Sequence, residues 1–264
     1  MARRPLTCKW NPDVHKKVIN LLKVAKLRSR MSKSSIPNGQ TMPDPSAIAI
    51  GGAKKMDAAI FFFDLESFTT ISAALSMEQT LSLLNFVIPS VMTVVRHWGG
   101  FFEKNTGDGV MAILGTETKD RSIIAQDAIE CAMAIRYVMK NEVQPMLASV
   151  GLPHINFRVG IDLGEILIGR IGVHSHNFLS VVGTIANLAC KLQGLARSNG
   201  ICIGDSLARC LNPYLQEHVE IGEHPDWTWQ YSQTGQPYNY YHFNLDWPEP
   251  FEWVRRGFFN QPAF

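Results

Sequence analysis

Two aspartates stand where apolar runs end, and carboxylates placed that way can hold hard cations. Asp64 closes the run Ala59-Ile60-Phe61-Phe62-Phe63. Asp108 sits in the turn Lys104-Asn105-Thr106-Gly107-Asp108-Gly109, between two further apolar runs. Short apolar runs bounded by turn residues are buried strands, so each carboxylate is expected at the edge of a sheet. Two such edges side by side present oxygens that suit Mg²⁺ or Mn²⁺. Two metals on shared carboxylates would activate an attacking hydroxyl and neutralise a phosphate in an in-line displacement. The plainer alternative is a pair of turn aspartates that cap or solvate loops.

The stretches around these residues carry a resemblance. They are Phe63-Asp64-Leu65-Glu66-Ser67-Phe68-Thr69, Lys104-Asn105-Thr106-Gly107-Asp108, Arg158-Val159-Gly160-Ile161 and Val182-Gly183-Thr184-Ile185-Ala186-Asn187-Leu188-Ala189. One short pattern recurs by chance, whereas four in order with matching spacing do not. The sequence resembles the class III nucleotidyl cyclase domain over about Met56 to Cys210, and within that family the bacterial uridylate cyclases of Pycsar anti-phage systems. The resemblance implies an α+β fold, a ferredoxin-like mixed β-sheet with helices packed on it. It implies two divalent ions, Mn²⁺ or Mg²⁺, on Asp64, Asp108 and the backbone carbonyl of Leu65. One ion lowers the pKa of the substrate 3′-hydroxyl and the other binds the triphosphate. Attack on the α-phosphorus then gives a 3′,5′-cyclic nucleotide and pyrophosphate, with cations stabilising the charge on the phosphoryl oxygens. Phe68 and Thr69 open the next helix, whose amides can receive phosphate oxygens.

Asn187 and Lys191 are four residues apart in a helical pattern and share a face. They are either a polar helix face or, as the resemblance implies, the groups that orient the ribose and contact the α-phosphate. The family usually has Arg at the second position, and Lys keeps the charge but loses the bidentate fork. Family members also carry a late basic residue for the distal phosphates, but no lysine follows Lys191. Arg197, Arg209, Arg255 and Arg256 remain, and spacing selects none of them.

Nucleobase identity is expected at Lys104 and at Ser180, three residues before Gly183. Adenylate cyclases place Lys and Asp there; guanylate cyclases place Glu and Cys. A lysine donates, and a hydroxyl donates or accepts. Together they match uracil, which offers O2 and O4 as acceptors and N3–H as a donor. The favoured substrate is UTP, giving cyclic UMP as an anti-phage signal. An adenylate cyclase is the alternative, as is a degenerate domain that binds nucleotide as a sensor. The resemblance further implies a homodimer with composite active sites: Asp64, Asp108 and Lys104 from one subunit, Ser180, Asn187 and Lys191 from the other. A downstream effector with a TIR or transmembrane domain is implied as partner.

The elements that must position these groups follow from composition and period. Of 264 residues, 46% are hydrophobic and 18% charged, enough apolar material for a core. No apolar run reaches the roughly 18 residues of a membrane span, and no secretory signal is read at the start. Five cysteines without metal-ligand spacing suggest free thiols in a cytoplasmic protein; Cys131 and Cys190 are expected in helix cores. Residues 1–33 hold ten Lys or Arg and one acid, whereas the remainder holds fifteen bases and twenty-two acids. This basic helical arm, with a helix expected over Asp13 to Arg28, either approaches an anionic surface or packs on the acidic remainder; no stable nucleic-acid partner is expected. A linker is expected over 34–53, the catalytic domain over 54–245 and an aromatic tail over 246–264. Within the domain the expected order is strand, helix, hairpin, helix, strands, helix, strand, with the helices on one face. Ile155 to Asp162 and Glu165 to Ile171 read as two antiparallel strands.

Overall fold

The apolar run that ends at Asp64 is the middle of a longer strand, β1 (Ala53–Leu65). The structure, a computed structural model, describes residues 16–23, 26, 48–105, 107–115 and 120–246, with only the backbone of Lys104 and Asn105. Most of the expected arm and linker, Cys8, Val24, Ala25, Thr106 and the tail beyond Asp246, with Arg255 and Arg256, lie outside these residues.

Eight strands among the described residues form one mixed sheet: β2 (Phe101–Asn105), β3 (Val110–Leu114), β1, β4 (Phe157–Val173), β6 (Gly200–Gly204), β8 (Tyr240–Phe243) and β7 (Val219–Ile221) in spatial order. β5 (His176–Val182) pairs β4 off this path. β1 lies antiparallel between β3 and β4, and β4 runs parallel to β6. The fold is α+β, as the sequence implies.

Side chains alternate along β1, and both faces are covered. Ala59, Phe61, Phe63 and Leu65 join the larger core with α3 (Met77–His97) and α4 (Arg121–Val138). Ala58 and Ile60 face the other way, into a cluster with Ile185 and Ala189 of α6 (Thr184–Leu195). The expectation of helices on one face is therefore corrected: α6 covers the opposite face. β1 is apolar on both sides for that reason.

α3 begins with the capping box that Ser76 and Gln79 predict: Ser76 N–H donates to Gln79 Oε1 (3.0 Å), and Gln79 N–H donates to Ser76 Oγ (3.2 Å). It continues through Pro89 and ends at Gly99, whose φ of 69° lets Gly100 N–H reach back to Val95 O (2.9 Å). Its length and hydropathy would suit a membrane span, but Leu83, Phe86, Val87, Val91, Val94 and Val95 are buried in the core. A helix over residues 16–23, α1, docks on the same core through Val18 and Leu22. Two buried aliphatic side chains contribute about 1.5–3 kcal/mol each. Lys26 adds a bond to Ser149 Oγ (3.0 Å).

Two further expectations are corrected. β4 is one continuous strand rather than two strands that break between Asp162 and Glu165. β1 pairs along it from Leu65↔Phe157 to Ala53↔Gly169. The turn-like residues have packing roles instead. The Asp162 carboxylate is buried and bonded, and a Cβ at Gly164 would lie 2.6 Å from Ile185 of α6. Of the two helical cysteines, Cys131 is buried as expected, but Cys190 is exposed. Cys131, Cys190, Cys202 and Cys210 are free thiols.

Candidate metal and nucleotide site

β1 and β3 pair until Phe63↔Val110, so Asp64 and the turn carrying Asp108 emerge at the same end of the sheet. Gly107, at φ 102°, supplies the left-handed backbone that this turn needs. The two carboxylates sense each other. Burial, and after it the charge of Asp108, raise the pKa of Asp64 to about 6. A backbone hydrogen bond from Leu65 and the charge of Arg158 oppose the shift. Arg158 lies across the β1–β4 register from Asp64 and pairs with Glu66. The other Glu66 oxygen accepts from Ser198 Oγ (2.5 Å), and this bond is the largest cause of its lowered pKa.

The donor set fits a hard divalent cation. Two repelling carboxylates and the Leu65 carbonyl offer oxygen only, and a cation between them would relieve the repulsion that raises the Asp64 pKa. Among the described residues no group of three or more His, Cys, Asp or Glu gathers to hold a metal. Water or substrate phosphates would complete the shell, as Mg²⁺ sites commonly require.

Beyond Leu65, Ser67 takes a left-handed conformation (φ 57°) and turns the chain into α2 (Phe68–Ala73). Phe68 packs against the core and Thr69 is exposed. No side chain caps the start of this helix.

α6 lies directly on β4 because residue 160 is glycine. A Cβ there would stand 2.2 Å from Gln193 N and 2.3 Å from Ala189 O. This contact carries Gln193 to the metal end, where its Nε2 donates a long bond to Asp64 Oδ2 (3.5 Å). Asn187 and Lys191 are exposed on α6, and the Lys191 ammonium lies 6.0 Å from the centre of the Trp229 ring. Within one protomer it is therefore Gln193 that touches Asp64, not Asn187 or Lys191.

The proposed base-reading residues come from two strands that meet in one chain. Val181 N–H on β5 donates to Glu103 Oε1 on β2 (3.3 Å). Glu103 is the bulged residue between Phe102↔Ala112 and Lys104↔Met111. Lys104 follows Glu103, and half-buried Ser180 precedes Val181. The β2–β5 contact sets residues 104 and 180 on neighbouring strands of one chain.

Neither late arginine within the described residues is spare for phosphate. Arg197 grips Glu220 with two bonds (2.9 and 3.0 Å), and Arg209 grips buried Asp205 (2.8 Å). The sequence did not single out Gln193, the Arg158–Glu66 pair or Trp229. Arg158 and Glu66 stand inside the quoted motifs, but their pairing spans 92 residues. No local pattern marks Gln193 or Trp229.

A mixed sheet with a carboxylate pair at one strand end and a helix start beside it defines a domain suited to metal-assisted phosphoryl chemistry. The model of the adenylate and guanylate cyclase catalytic domain matches residues 52–228, and the chain belongs to this family. An adenylate cyclase of Anabaena cylindrica is 27% identical over 167 residues, 62% of this chain and 33% of that protein. A uridylate cyclase of Burkholderia cepacia is 28% identical over 166 residues, 62% of this chain and 69% of that protein. The chain thus corresponds to about a third of the Anabaena relative. The crystal structure of the guanylyl cyclase Cya2 superimposes with a TM-score of 0.63 at 24% identity, covering 76% of this chain and 97% of that one. The class III cyclase fold is thereby shared.

Proposed function

We propose that this protein is a nucleotidyl cyclase, converting a nucleoside triphosphate to a 3′,5′-cyclic nucleotide and pyrophosphate. The observation that carries it is the Asp64–Asp108 pair, gathered at one sheet end with Asp64 raised to about 6 by burial and by Asp108. Divalent ions bound there would supply Lewis-acid activation of the 3′-hydroxyl and charge neutralisation at the triphosphate. Asp64, Asp108 and the Leu65 carbonyl would hold them. The uncapped start of α2, at Phe68 and Thr69, faces phosphate oxygens with its amides. Asn187 orients the ribose, and the Lys191 ammonium meets the charge that builds on the α-phosphate.

Both α6 residues lie away from their own Asp64, which supports a homodimer whose sites take α6 from the second copy. The β4–β5 hairpin offers a surface for it: Ile171, Val173, Phe178 and Val182 are exposed apolar side chains. UTP is the preferred substrate, because Lys104 and Ser180 lie on adjoining strands and residue 180 lacks the carboxylate that would accept from an adenine amino group. The product is cyclic UMP, acting in the cytoplasm as an anti-phage signal to an effector with a TIR or transmembrane domain. Adenylate cyclase is the second reading, favoured by the Anabaena relative at similar identity.

Incubation with Mn²⁺ and ATP, GTP, CTP or UTP, with products resolved by mass, tests the proposal. Cyclic UMP as the main product is expected. Cyclic AMP would replace the substrate assignment, and no cyclic product from any of the four would remove the cyclase assignment.

A further inference from the structure

Lys191 stands where a planar guanidinium would be held by its own fork, yet a lysine ammonium on four rotatable bonds has no such preorganisation. Trp229 is in contact with it. The ammonium lies 6.0 Å from the ring centre, within the reach of a cation–π attraction. Trp227 and Trp229 stand in the connection between β7 and β8. That connection is firmly tied. Trp229 O accepts from Tyr238 N (2.8 Å), and Trp227 Nε1 donates to Tyr238 O (2.6 Å). The Tyr238 hydroxyl donates to buried Asp162 (2.6 Å). Trp227 packs against the cluster that Leu192 and Ala196, from the last turn of α6 and its cap, form with Cys202 and Tyr240. The segment that carries Trp229 is thus fastened both to the sheet and to the helix that carries Lys191.

We infer that Trp229 is a positioning residue for Lys191: its ring narrows the range of the ammonium and holds it at the height from which it meets the α-phosphate. The inference rests on the cyclase reading above and adds a residue to it. An aromatic seat restores to a lysine part of the order that an arginine has by shape.

The test compares Trp229→Leu, which keeps an apolar side chain but removes the π face, with Trp229→Tyr, which keeps an aromatic face. With UTP and Mn²⁺, kcat falls about two- to fivefold in Trp229→Leu. KM changes less than kcat, and Trp229→Tyr recovers most of the loss. A rise in kcat in Trp229→Leu would mean that the ring sequesters Lys191 and would overturn the inference. A second readout is independent of turnover. In NMR spectra of lysine-labelled protein, with Lys191 assigned by its absence in Lys191→Arg, its ε-methylene protons resonate upfield of the other lysines and lose that shift in Trp229→Leu. If the wild-type protein turns over none of the four triphosphates, the cyclase reading fails while this shift still decides whether the seat exists. Absence of the shift overturns the seat even where turnover is brisk.

Discussion

Two pairs of aspartates in this molecule face opposite fates. Asp64 and Asp108 meet at a sheet end, where Asp64 has a long bond from Gln193, a backbone bond from Leu65 and the charge of Arg158 against burial and the repulsion. Asp162 and Asp205 meet inside the protein, at 0% and 1% exposure, and are covered by partners. Tyr238 donates to Asp162 (2.6 Å), Tyr231 and Tyr241 donate to Asp205 (2.6 and 3.0 Å), and Arg209 supplies the charge (2.8 Å). Burial raises Asp162 to about 7 despite those bonds. The difference lies in what completes each pair. The inner pair is completed by the protein itself and fastens β4, α7 (Asp205–Ala208) and the β7–β8 connection. The outer pair leaves its oxygens to something that comes from outside.

The comparison breaks first at the outer pair. Asp64→Ala or Asp108→Ala is expected to lower turnover by about 10³-fold or more, because the ion-binding oxygens are lost. The thermal midpoint without metal should stay within a few degrees of wild type, since relief of the repulsion offsets the long Gln193 bond and the backbone bond lost at Asp64. Turnover near wild type in either variant would remove the metal assignment.

The inner pair should answer in stability. Tyr238→Phe strips the hydroxyl from buried Asp162 and is expected to cost about 1–3 kcal/mol, read by denaturant unfolding, while Mn²⁺ affinity is unchanged. An unchanged unfolding midpoint would mean that the tyrosine bond adds nothing.

The pH response separates folding from metal binding at Asp64. Its pKa is raised from 3.8 to about 6 by folding. The stabilising proton is thus fully present below the unfolded value and lost as pH rises through about 6. Metal binding needs the ionised carboxylate and runs the other way. Mn²⁺ affinity, followed by calorimetry, is expected to climb as pH rises through about 6, by up to about tenfold per unit below that value. A flat profile between pH 5 and pH 7 would show that Asp64 is not the titrating ligand.

The smallest effect belongs to the base pocket. Ser180→Asp adds a carboxylate acceptor and is expected to shift the ATP-to-UTP ratio of kcat/KM several-fold toward ATP. An unchanged ranking would show that the base is read elsewhere.

Local chemistry made much of the frame legible in the sequence. The β1 run, the capping box at Ser76 and Gln79 and the glycine stop after α3 are short-range signals, and each stands in the structure where the pattern puts it. Asp64 and Asp108 were legible because each ends or follows an apolar strand. The break expected after Asp162 misled because Asp and Gly are turn residues by habit. Here they are strand residues whose reasons, Tyr238 and Ile185, lie 76 and 21 positions away.

The sequence by itself determined which residues can do chemistry: two carboxylates at strand ends, a lysine in place of an arginine and a serine in place of a carboxylate. Residue type and period suffice for that. Tertiary structure alone decided which of them meet. It set α6 on the far face of the sheet through Gly160, carried Gln193 to Asp64, joined Glu103 to β5 beside Ser180 and laid Lys191 against Trp229. Such contacts depend on how strands and helices stack across long separations, and no short window of sequence contains both partners.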